Sequence, residues 1–282
     1  KFYMIIWIAS YPKSGNTYVR SFLTSYYFSK KGKLDFNLLS NIPQFPSIRF
    51  SKKDFLSFKD AAKNWITNQQ FFFDKNKNYL LKTHNSLNKF DNIEFTTTDQ
   101  TVGAIYIVRD PRNVITSMCH HYSFSLDYAL EKMLDLNASL SEKASNGDCS
   151  NFTFLGSWAE HYKSWKNNEK FKVLIIRYED LKDQKEEMFK KIIRFIEELR
   201  GNKEVVINDE KFLNSIRSTN FANLKNKELN EGFDEGFISK DGKKINFFNL
   251  GFKNKWENLL PKKILEKINQ EFDKELKELG YK

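Results

Sequence analysis

Cysteine, proline and glycine are all scarce in this 282-residue sequence, which contains two, five and 11 of them respectively. Cys119 and Cys149 are too few for a disulfide framework, and no CxxC or HExxH spacing indicates a metal site. The longest apolar run, Met4 to Ala9, is far shorter than the roughly 20 residues that a membrane-spanning helix needs. No basic start with a small-residue cleavage site marks a signal peptide. These absences predict a soluble, cytoplasmic protein with no transmembrane segment and no bound metal.

Acidic residues are in the minority, since 46 Lys and Arg against 36 Asp and Glu give a net charge of +10. Such a surplus attracts nucleic acid, an acidic membrane surface or an anionic small molecule. The lysines are scattered, however, and often stand beside an acidic residue, as in Lys182-Asp183. This pattern is typical of a solvated surface, so only the net charge itself favours a nucleic-acid-binding function. The composition leaves the oligomeric state open.

Hydrophobic residues make up 40% of the chain, which is enough for a packed core at this length. Apolar runs predict four buried strands, and apolar residues at helical spacing follow the first run and recur near the C-terminus. Strands separated by helices predict an α/β fold: an open, mainly parallel central sheet with helices on both faces, in one domain over residues 1–282. The strands are expected at residues 3–9, 79–81, 104–108 and 173–176, and polar loops at 139–151 and 225–244.

A P-loop-like phosphate-binding loop is predicted between the first strand and the first helix, where the sequence reads Pro12-Lys13-Ser14-Gly15-Asn16-Thr17. A helix N-terminus offers unpaired N–H groups to an anion, glycine lets the backbone approach closely, and lysine adds a full charge. The loop is not a Walker A sequence, because Lys13 precedes its glycine. Asp110, after a later strand, resembles a Walker B acid in position, so a Mg²⁺-dependent nucleotide kinase remains the alternative.

A second strand, turn and helix spans residues 105–117 and carries Arg109 at the strand end and Ser117 about two turns into the helix. An arginine fork and a hydroxyl at the carboxyl end of a strand suit a phosphate. Two separate anion sites on one sheet predict a ligand with two separated phosphates.

These segments resemble those of the sulfotransferases that use 3′-phosphoadenosine 5′-phosphosulfate (PAPS) as donor and release adenosine 3′,5′-bisphosphate (PAP). The resemblance covers most of the chain and is most specific in the two anion motifs. Further matches are Lys82-Thr83-His84, the stretches 156–158 and 177–181, and a C-terminal segment over 247–256. The C-terminal segment departs from the family, because Asn249-Leu250 stand where an arginine and often a lysine precede the glycine. Lys253 or Lys255 is a candidate replacement for the missing cation.

The resemblance implies a role for each matching residue. Lys13, Ser14, Gly15, Asn16 and Thr17 would hold the 5′-phosphate, and Arg109 and Ser117 the 3′-phosphate. Tyr18 would stack on adenine, a position that is usually tryptophan in the family. The nucleotide pocket would further include Tyr178, Thr219, Phe221 and Gly251.

Transfer of a sulfuryl group to a hydroxyl needs a base for the acceptor proton and cations for the developing charge. His84 is the predicted general base, because it directly follows a strand at the sheet edge where ligands of α/β folds bind. Lys13 and Lys82 are the predicted cations. The remaining histidines are expected to be surface or satisfied core residues: His120, His121 and His161.

The acceptor is expected to be a hydroxyl of a small molecule, carbohydrate or lipid. The segment over residues 29–78 is expected to contribute to its pocket, since it is rich in aromatic residues: Phe45, Phe50, Phe55, Phe58, Trp65, Phe71, Phe72 and Phe73.

Overall fold

A four-stranded parallel sheet forms the centre of the computed structural model, which describes residues 4–51, 55–71, 78–143, 149–238 and 242–282. Its strands, in spatial order, are β2 (Tyr79–Thr83), β1 (Ile5–Ser10), β3 (Thr101–Val108) and β6 (Lys172–Arg177). The pairing sets Ala9 beside Thr83 and Tyr106, and Val108 beside Arg177, so the carboxyl ends of all four strands lie at one edge. The predicted open parallel sheet is confirmed.

Helices cover both faces of the sheet, as predicted. Successive side chains of a strand point to opposite faces, and in β1 Trp7 packs into one core while Ile6 and Ile8 pack into the other. Because both faces of the sheet are covered, the side chains on both sides of β1 are buried, which explains its continuous apolar sequence. The Ile6 face is covered by α1 (Asn16–Phe28), α8 (Lys185–Leu199), α9 (Asp209–Ser218) and α10 (Phe221–Glu231).

The Trp7 face carries the other helices that supply its core. They are α2 (Phe58–Lys63), α3 (Trp65–Phe71), α4 (Pro111–Tyr122), α5 (Leu126–Leu134), α6 (Trp158–Lys166), α11 (Lys262–Glu271) and α12 (Asp273–Glu278). A short helix α7 (Asp180–Asp183) follows β6, and 3₁₀ turns span Phe36–Asn41, Ile48–Phe50, Gly251–Lys253 and Trp256–Asn258.

Two stretches that the sequence predicts as loops contain regular structure. An antiparallel hairpin of β4 (Ser139–Lys143) and β5 (Cys149–Phe154) occupies the first, and residues 144–148 lie outside the described part. In the second, α10 continues to Glu231 and is followed by the pair β7 (Phe237–Ile238) and β8 (Lys244–Ile245), with residues 239–241 outside the described part. The loop predictions are wrong there, because polar composition also suits a solvent-facing helix or an edge hairpin.

Candidate active site

Predicted site residues follow the end of every strand of the central sheet. After β1 they are those of the phosphate-binding loop over residues 12–17, called the P-loop below. His84 follows β2, Arg109 follows β3 and Tyr178 follows β6. Because the strands are parallel and in register, these residues meet at one edge. They line a cavity of about 650 Å³.

The P-loop has a backbone that its sequence prescribes. Gly15 has a φ of +100°, and a Cβ atom there would lie 2.3 Å from Cδ2 of Tyr178. Only glycine combines this left-handed conformation with so close an approach. Helix α1 begins at Asn16 with no side-chain cap, so its first N–H groups point into the loop without a side-chain acceptor.

Several buried polar atoms around the loop have no hydrogen-bond partner among the described residues. They are Lys13 Nζ, Ser14 Oγ, Asn16 Oδ1 and Arg109 Nε. Buried polar atoms are normally paired, so a cluster of unpaired ones marks a place prepared for a polar ligand. Lys13 Nζ lies 3.7 Å from the centroid of the Phe247 ring. Burial lowers the pKa of Lys13 to about 7, against the opposing attraction of Glu235.

The second anion motif adjoins the first. Arg109 Nη1 donates to the carbonyl oxygen of Lys13 at 3.0 Å, and its guanidinium carbon lies 4.5 Å from the centroid of the Tyr178 ring. Ser117 lines the same cavity from α4. Asp110 caps α4 and forms a buried ion pair with Arg112 at 2.6 Å, so its carboxylate is already used within the turn. This pairing removes the Walker B interpretation of Asp110.

His84 is held in one tautomer by its surroundings. Nδ1 lies 2.8 Å from the carbonyl oxygen of Ser10, and a carbonyl can only accept, so Nδ1 carries the proton and Nε2 keeps its lone pair. Burial, with Lys82 adding to it, lowers the pKa of His84 to about 3. The imidazole is therefore neutral near pH 7.

Glu235 lines the cavity, and no pattern in the sequence identifies it as a site residue. Its Oε2 accepts from Thr17 Oγ1 at 2.8 Å and from Lys82 Nζ at 2.9 Å, and Oε1 pairs with Arg20 Nη1. Burial alone would raise the pKa of Glu235, but Lys82 and Arg20 hold it well below its ordinary value. These partners are up to 218 positions away, so no local pattern could have indicated the contact.

Aromatic rings form part of the cavity wall beside the P-loop. Tyr178 stacks on Phe252 with centroids 4.8 Å apart, and Tyr18 meets Phe252 edge-on at 6.0 Å. Gly251 has a φ of +55°, and a Cβ atom there would lie 2.5 Å from Phe221 Cδ2. The C-terminal segment therefore closes on the cavity through a second glycine that no other residue can replace without displacing a ring.

Most of the predicted site residues line the cavity: Lys13, Gly15, Asn16, Thr17, Tyr18, Lys82, His84, Arg109, Ser117, Tyr178, Phe221 and Gly251. Ser14 is buried beside it, with its hydroxyl unpaired. Thr219 is not among the lining residues, because its hydroxyl bonds back to the carbonyl of Ser215 at 2.7 Å. Lys253 and Lys255 are exposed and do not line the cavity, whereas Lys225 Nζ donates to the carbonyl of Asn249 at 3.1 Å.

Residues of α4, α5 and β4 also line the cavity. Cys119, Tyr122, Leu126 and Leu140 give it apolar walls. The aromatic segment over residues 29–78 contributes little to it: of its described residues only Gln44 lines the cavity.

Most of the aromatic side chains of that segment do not reach the cavity, because they are buried in the hydrophobic core on the Trp7 face of the sheet. Phe45, Phe50, Phe55 and Trp65 are buried in the core on the Trp7 face, and Phe58 is 41% exposed. Phe72, Phe73 and the side chain of Phe71 lie outside the described part.

The remaining histidines differ from one another. Buried His161 is satisfied as predicted, with Nδ1 2.8 Å from Tyr106 Oη and Nε2 2.9 Å from the carbonyl of His84. His120 Nε2 lies 3.2 Å from the carbonyl of Asn246. His121 departs from the prediction, because it is buried in the cavity wall and its Nδ1 has no partner among the described residues.

In the described part of the chain, no group of three or more His, Cys, Asp or Glu residues could hold a metal ion. The helices described there also include none that is long and apolar enough to cross a membrane.

This chain is similar to proteins that are named sulfotransferases. Sulfotransferase 1B1 of Canis lupus familiaris is 26% identical over 276 residues, which cover 95% of this chain and 82% of that protein. Cytosolic sulfotransferase 12 of Arabidopsis thaliana is 28% identical over 183 residues, or 63% of this chain and 51% of that protein. The crystal structure of mouse sulfotransferase SULT7A1 complexed with PAP shares the fold, with a TM-score of 0.58 at 20% identity over 97% of this chain and 84% of that one.

The family model of the sulfotransferase domain matches residues 5–280. This match and the similar proteins confirm the prediction of a PAPS-dependent sulfotransferase, and they support neither a nucleotide kinase nor a nucleic-acid-binding protein. The chain belongs to the sulfotransferase domain family.

Proposed function

We propose that the cavity binds PAPS across its two anion motifs and passes the sulfuryl group to an acceptor hydroxyl, leaving PAP and a sulfate ester. One observation carries the proposal: unpaired buried donors of both motifs, Lys13 Nζ and Arg109 Nε, belong to one cavity. Each motif suits one phosphate, and the direct hydrogen bond between them fixes their separation.

In this assignment the P-loop binds the 5′-phosphate end of the donor. Lys13, Ser14, Asn16, Thr17 and the N–H groups at the start of α1 supply charge and donors to it. Unpaired Lys13 Nζ and Ser14 Oγ fit this role, because a phosphate oxygen would satisfy both. The anion also raises the pKa of Lys13 and so restores its charge.

Arg109 and Ser117 hold the 3′-phosphate, and the rings around the cavity hold the base. The family's additional arginine is absent here, and Lys225 is the cation that reaches the same loop through the carbonyl of Asn249. Tyr18, Phe221 and Phe252 offer apolar faces for adenine. The similar mouse structure is a complex with PAP, which supports a site for PAP in this fold.

When bound, PAPS supplies an activated sulfuryl group, and the residues of this chain handle the proton and the charge. His84 takes the acceptor proton on Nε2, which is free because Ser10 holds the proton on Nδ1. Lys13 and Lys82 stabilise charge on the oxygens of the leaving phosphate and of the group in transfer. The negative charge of the donor offsets burial and raises the pKa of His84, which favours proton uptake.

The acceptor is assigned to a small molecule or carbohydrate that presents a hydroxyl to His84. The apolar walls of Cys119, Tyr122, Leu126 and Leu140 suit a compact acceptor with an apolar part. A cytoplasmic location is part of the proposal and is supported by the name of the plant relative.

Thermal unfolding with PAP or ATP tests the donor assignment. PAP at about 100 times its Kd stabilises the fold by about 2.7 kcal/mol, and EDTA leaves that gain intact. Arg109→Ala removes most of it, whereas Arg217→Ala, an exposed arginine on α9, does not. Stabilisation by ATP that requires Mg²⁺, with none by PAP, contradicts the proposal.

His84→Asn tests the base. The amide keeps a donor for the carbonyl of Ser10 but cannot take a proton, so PAP release from PAPS with a panel of phenols, alcohols and sugars falls by about 10²–10⁴-fold. The Kd of PAP stays within about twofold of the wild-type value, since His84 does not belong to the proposed phosphate sites. Wild-type turnover in the variant overturns the assignment of His84.

A further inference from the structure

Glu235 contacts groups that the proposed function assigns to the 5′-phosphate and to the sulfuryl group of the donor. One carboxylate oxygen, Oε2, accepts from both Thr17 Oγ1 and Lys82 Nζ. The other pairs with Arg20, whose guanidinium also donates to the carbonyl oxygens of Leu39 and Ile42 and is thereby fixed. The free protein therefore already holds an anion in this part of the cavity.

A donor phosphate and Glu235 cannot share these groups. Thr17 has a single hydroxyl proton to donate, and that proton points to Glu235. Two negative charges this close repel each other strongly in a partly dehydrated site. Occupation of the site by the donor therefore requires the carboxylate to leave.

The chain around Glu235 allows that movement. Gly232, with a φ of +80°, and Gly236 flank it between α10 and β7. A Cβ atom at Gly232 would have only Lys244 Nζ within 4 Å, at 3.6 Å, so the backbone there is uncrowded. Phe233 packs among aromatic rings, and its ring centroid lies 4.7 Å from that of Phe36. This packing holds Phe233 in position while the Glu235 side chain moves out of the site.

Proton transfer is not a suitable role for this carboxylate. Lys82 and Arg20 keep the pKa of Glu235 well below its ordinary value, so it accepts a proton poorly wherever these contacts persist. What it does supply is a permanent negative charge at the position where a ligand anion belongs.

We propose that Glu235 is an internal anion that fills the position of the 5′-phosphate and sulfuryl group of the donor in the free protein and is displaced by the donor. This inference rests on the proposed function. Inorganic phosphate or sulfate offers one set of contacts and cannot compete with a tethered carboxylate. PAPS brings a second phosphate to Arg109 and a base to the aromatic wall, so it can. Glu235 thus selects the complete donor against the small anions of the cell.

Calorimetric titration of wild type, Glu235→Gln and Asp234→Asn with PAP and with inorganic phosphate tests this. Asp234 is the matched control, because its exposed carboxylate lines the same cavity and removal changes the charge equally. Glu235→Gln binds PAP about tenfold tighter, since the site no longer has to be vacated. It also binds inorganic phosphate measurably, and wild type and Asp234→Asn do not.

If Glu235→Gln binds PAP and phosphate no tighter than wild type, Glu235 only orients Lys82 and Arg20 and the inference is wrong. If wild type binds no PAP, the proposed donor site fails, and the phosphate titration still decides the role of Glu235.

A measurement on the wild-type chain avoids reliance on a variant that leaves two buried cations unpaired. PAP is expected to slow amide hydrogen exchange over residues 12–18 and to speed it over residues 232–238, where Glu235 is released. Unchanged or slower exchange over 232–238 on PAP binding overturns the inference.

Discussion

Arg109 donates a hydrogen bond from Nη1 to the carbonyl oxygen of Lys13 at 3.0 Å, which joins two anion motifs that are 96 positions apart in the chain. The contact arises because β1 and β3 are adjacent parallel strands and each motif begins where its strand ends. The sheet therefore sets the distance between the two proposed phosphate sites. In the proposed function, this separation matches a ligand that carries two phosphates.

The P-loop depends on the absence of a side chain at Gly15. Gly15→Ala combines a φ of +100° with a Cβ atom 2.3 Å from the Tyr178 ring. The left-handed conformation costs roughly 1–2 kcal/mol and the overlap adds about 1–3 kcal/mol. Urea unfolding is expected to show a loss in the free energy of unfolding equal to the sum of these two costs. The variant is also expected to lose PAP binding.

Gly201→Ala is the matched control, because Gly201 has a φ of +87° but nothing within 4 Å of its Cβ position. Gly201→Ala is expected to lower the free energy of unfolding only by the cost of the left-handed conformation, and its affinity for PAP is expected to stay unchanged. Equal losses in both variants would mean that the approach of Tyr178 to the loop is not a constraint.

How far the sequence predicts this site depends on the distance along the chain between the contacting groups. The P-loop, His84 and Arg109 were predictable because each directly follows an apolar strand, and parallel strands bring their carboxyl ends together. Glu235 was not, because its contacts with Thr17 and Lys82 span 218 and 153 positions. Its only local signal is a pair of flanking glycines, which indicates a turn and nothing about charge.

Two further predictions depend on the direction in which a side chain points. The aromatic residues near Phe45 have the composition of a ligand pocket, yet they fill the core under Trp7, since composition does not say which side of an element faces a cavity. Thr219 matched a family position, but the end of α9 turns its hydroxyl back to Ser215. Tertiary packing decides the direction of the aromatic side chains, and a local hydrogen bond at the end of α9 decides that of Thr219.

Lys13 is expected to make PAP binding depend on pH. In the free protein burial lowers its pKa from 10.5 to about 7, so between these values the unfolded chain holds more protons and the stability of the free protein rises with pH. Bound phosphate favours the charged form. PAP binding above pH 7 therefore takes up a proton, and its affinity falls by up to about tenfold per pH unit.

Titration calorimetry at pH 8.5 in two buffers of different ionisation enthalpy counts that proton. Lys13→Met is expected to abolish the uptake, and Lys225→Met to retain it. An uptake that persists unchanged in Lys13→Met would place the titrating group elsewhere.

His121 and His161 form a contrasting pair for stability. His121 is buried with an unpaired Nδ1 and packs against Phe247 with centroids 5.4 Å apart, so His121→Phe is expected to stabilise the fold by about 1 kcal/mol. His161 has both ring nitrogens paired, so His161→Phe leaves Tyr106 and the carbonyl of His84 unsatisfied and destabilises the fold by about 2 kcal/mol.

Denaturant unfolding of both variants measures the difference. Destabilisation of the same size in both would show that His121 makes a polar contact in the folded protein that resembles those of His161.

The proposed function places two distinct phosphate sites in one cavity, one at Lys13 and one at Arg109. Its most direct test is calorimetric titration of wild type, Lys13→Met and Arg109→Gln with PAP, 5′-AMP and 3′-AMP. Arg109→Gln is predicted to weaken PAP and 3′-AMP by roughly 10–100-fold and to leave 5′-AMP within about twofold, and Lys13→Met to do the converse. Equal weakening of both monophosphates by either variant, or no PAP binding by the wild-type protein, would contradict the account.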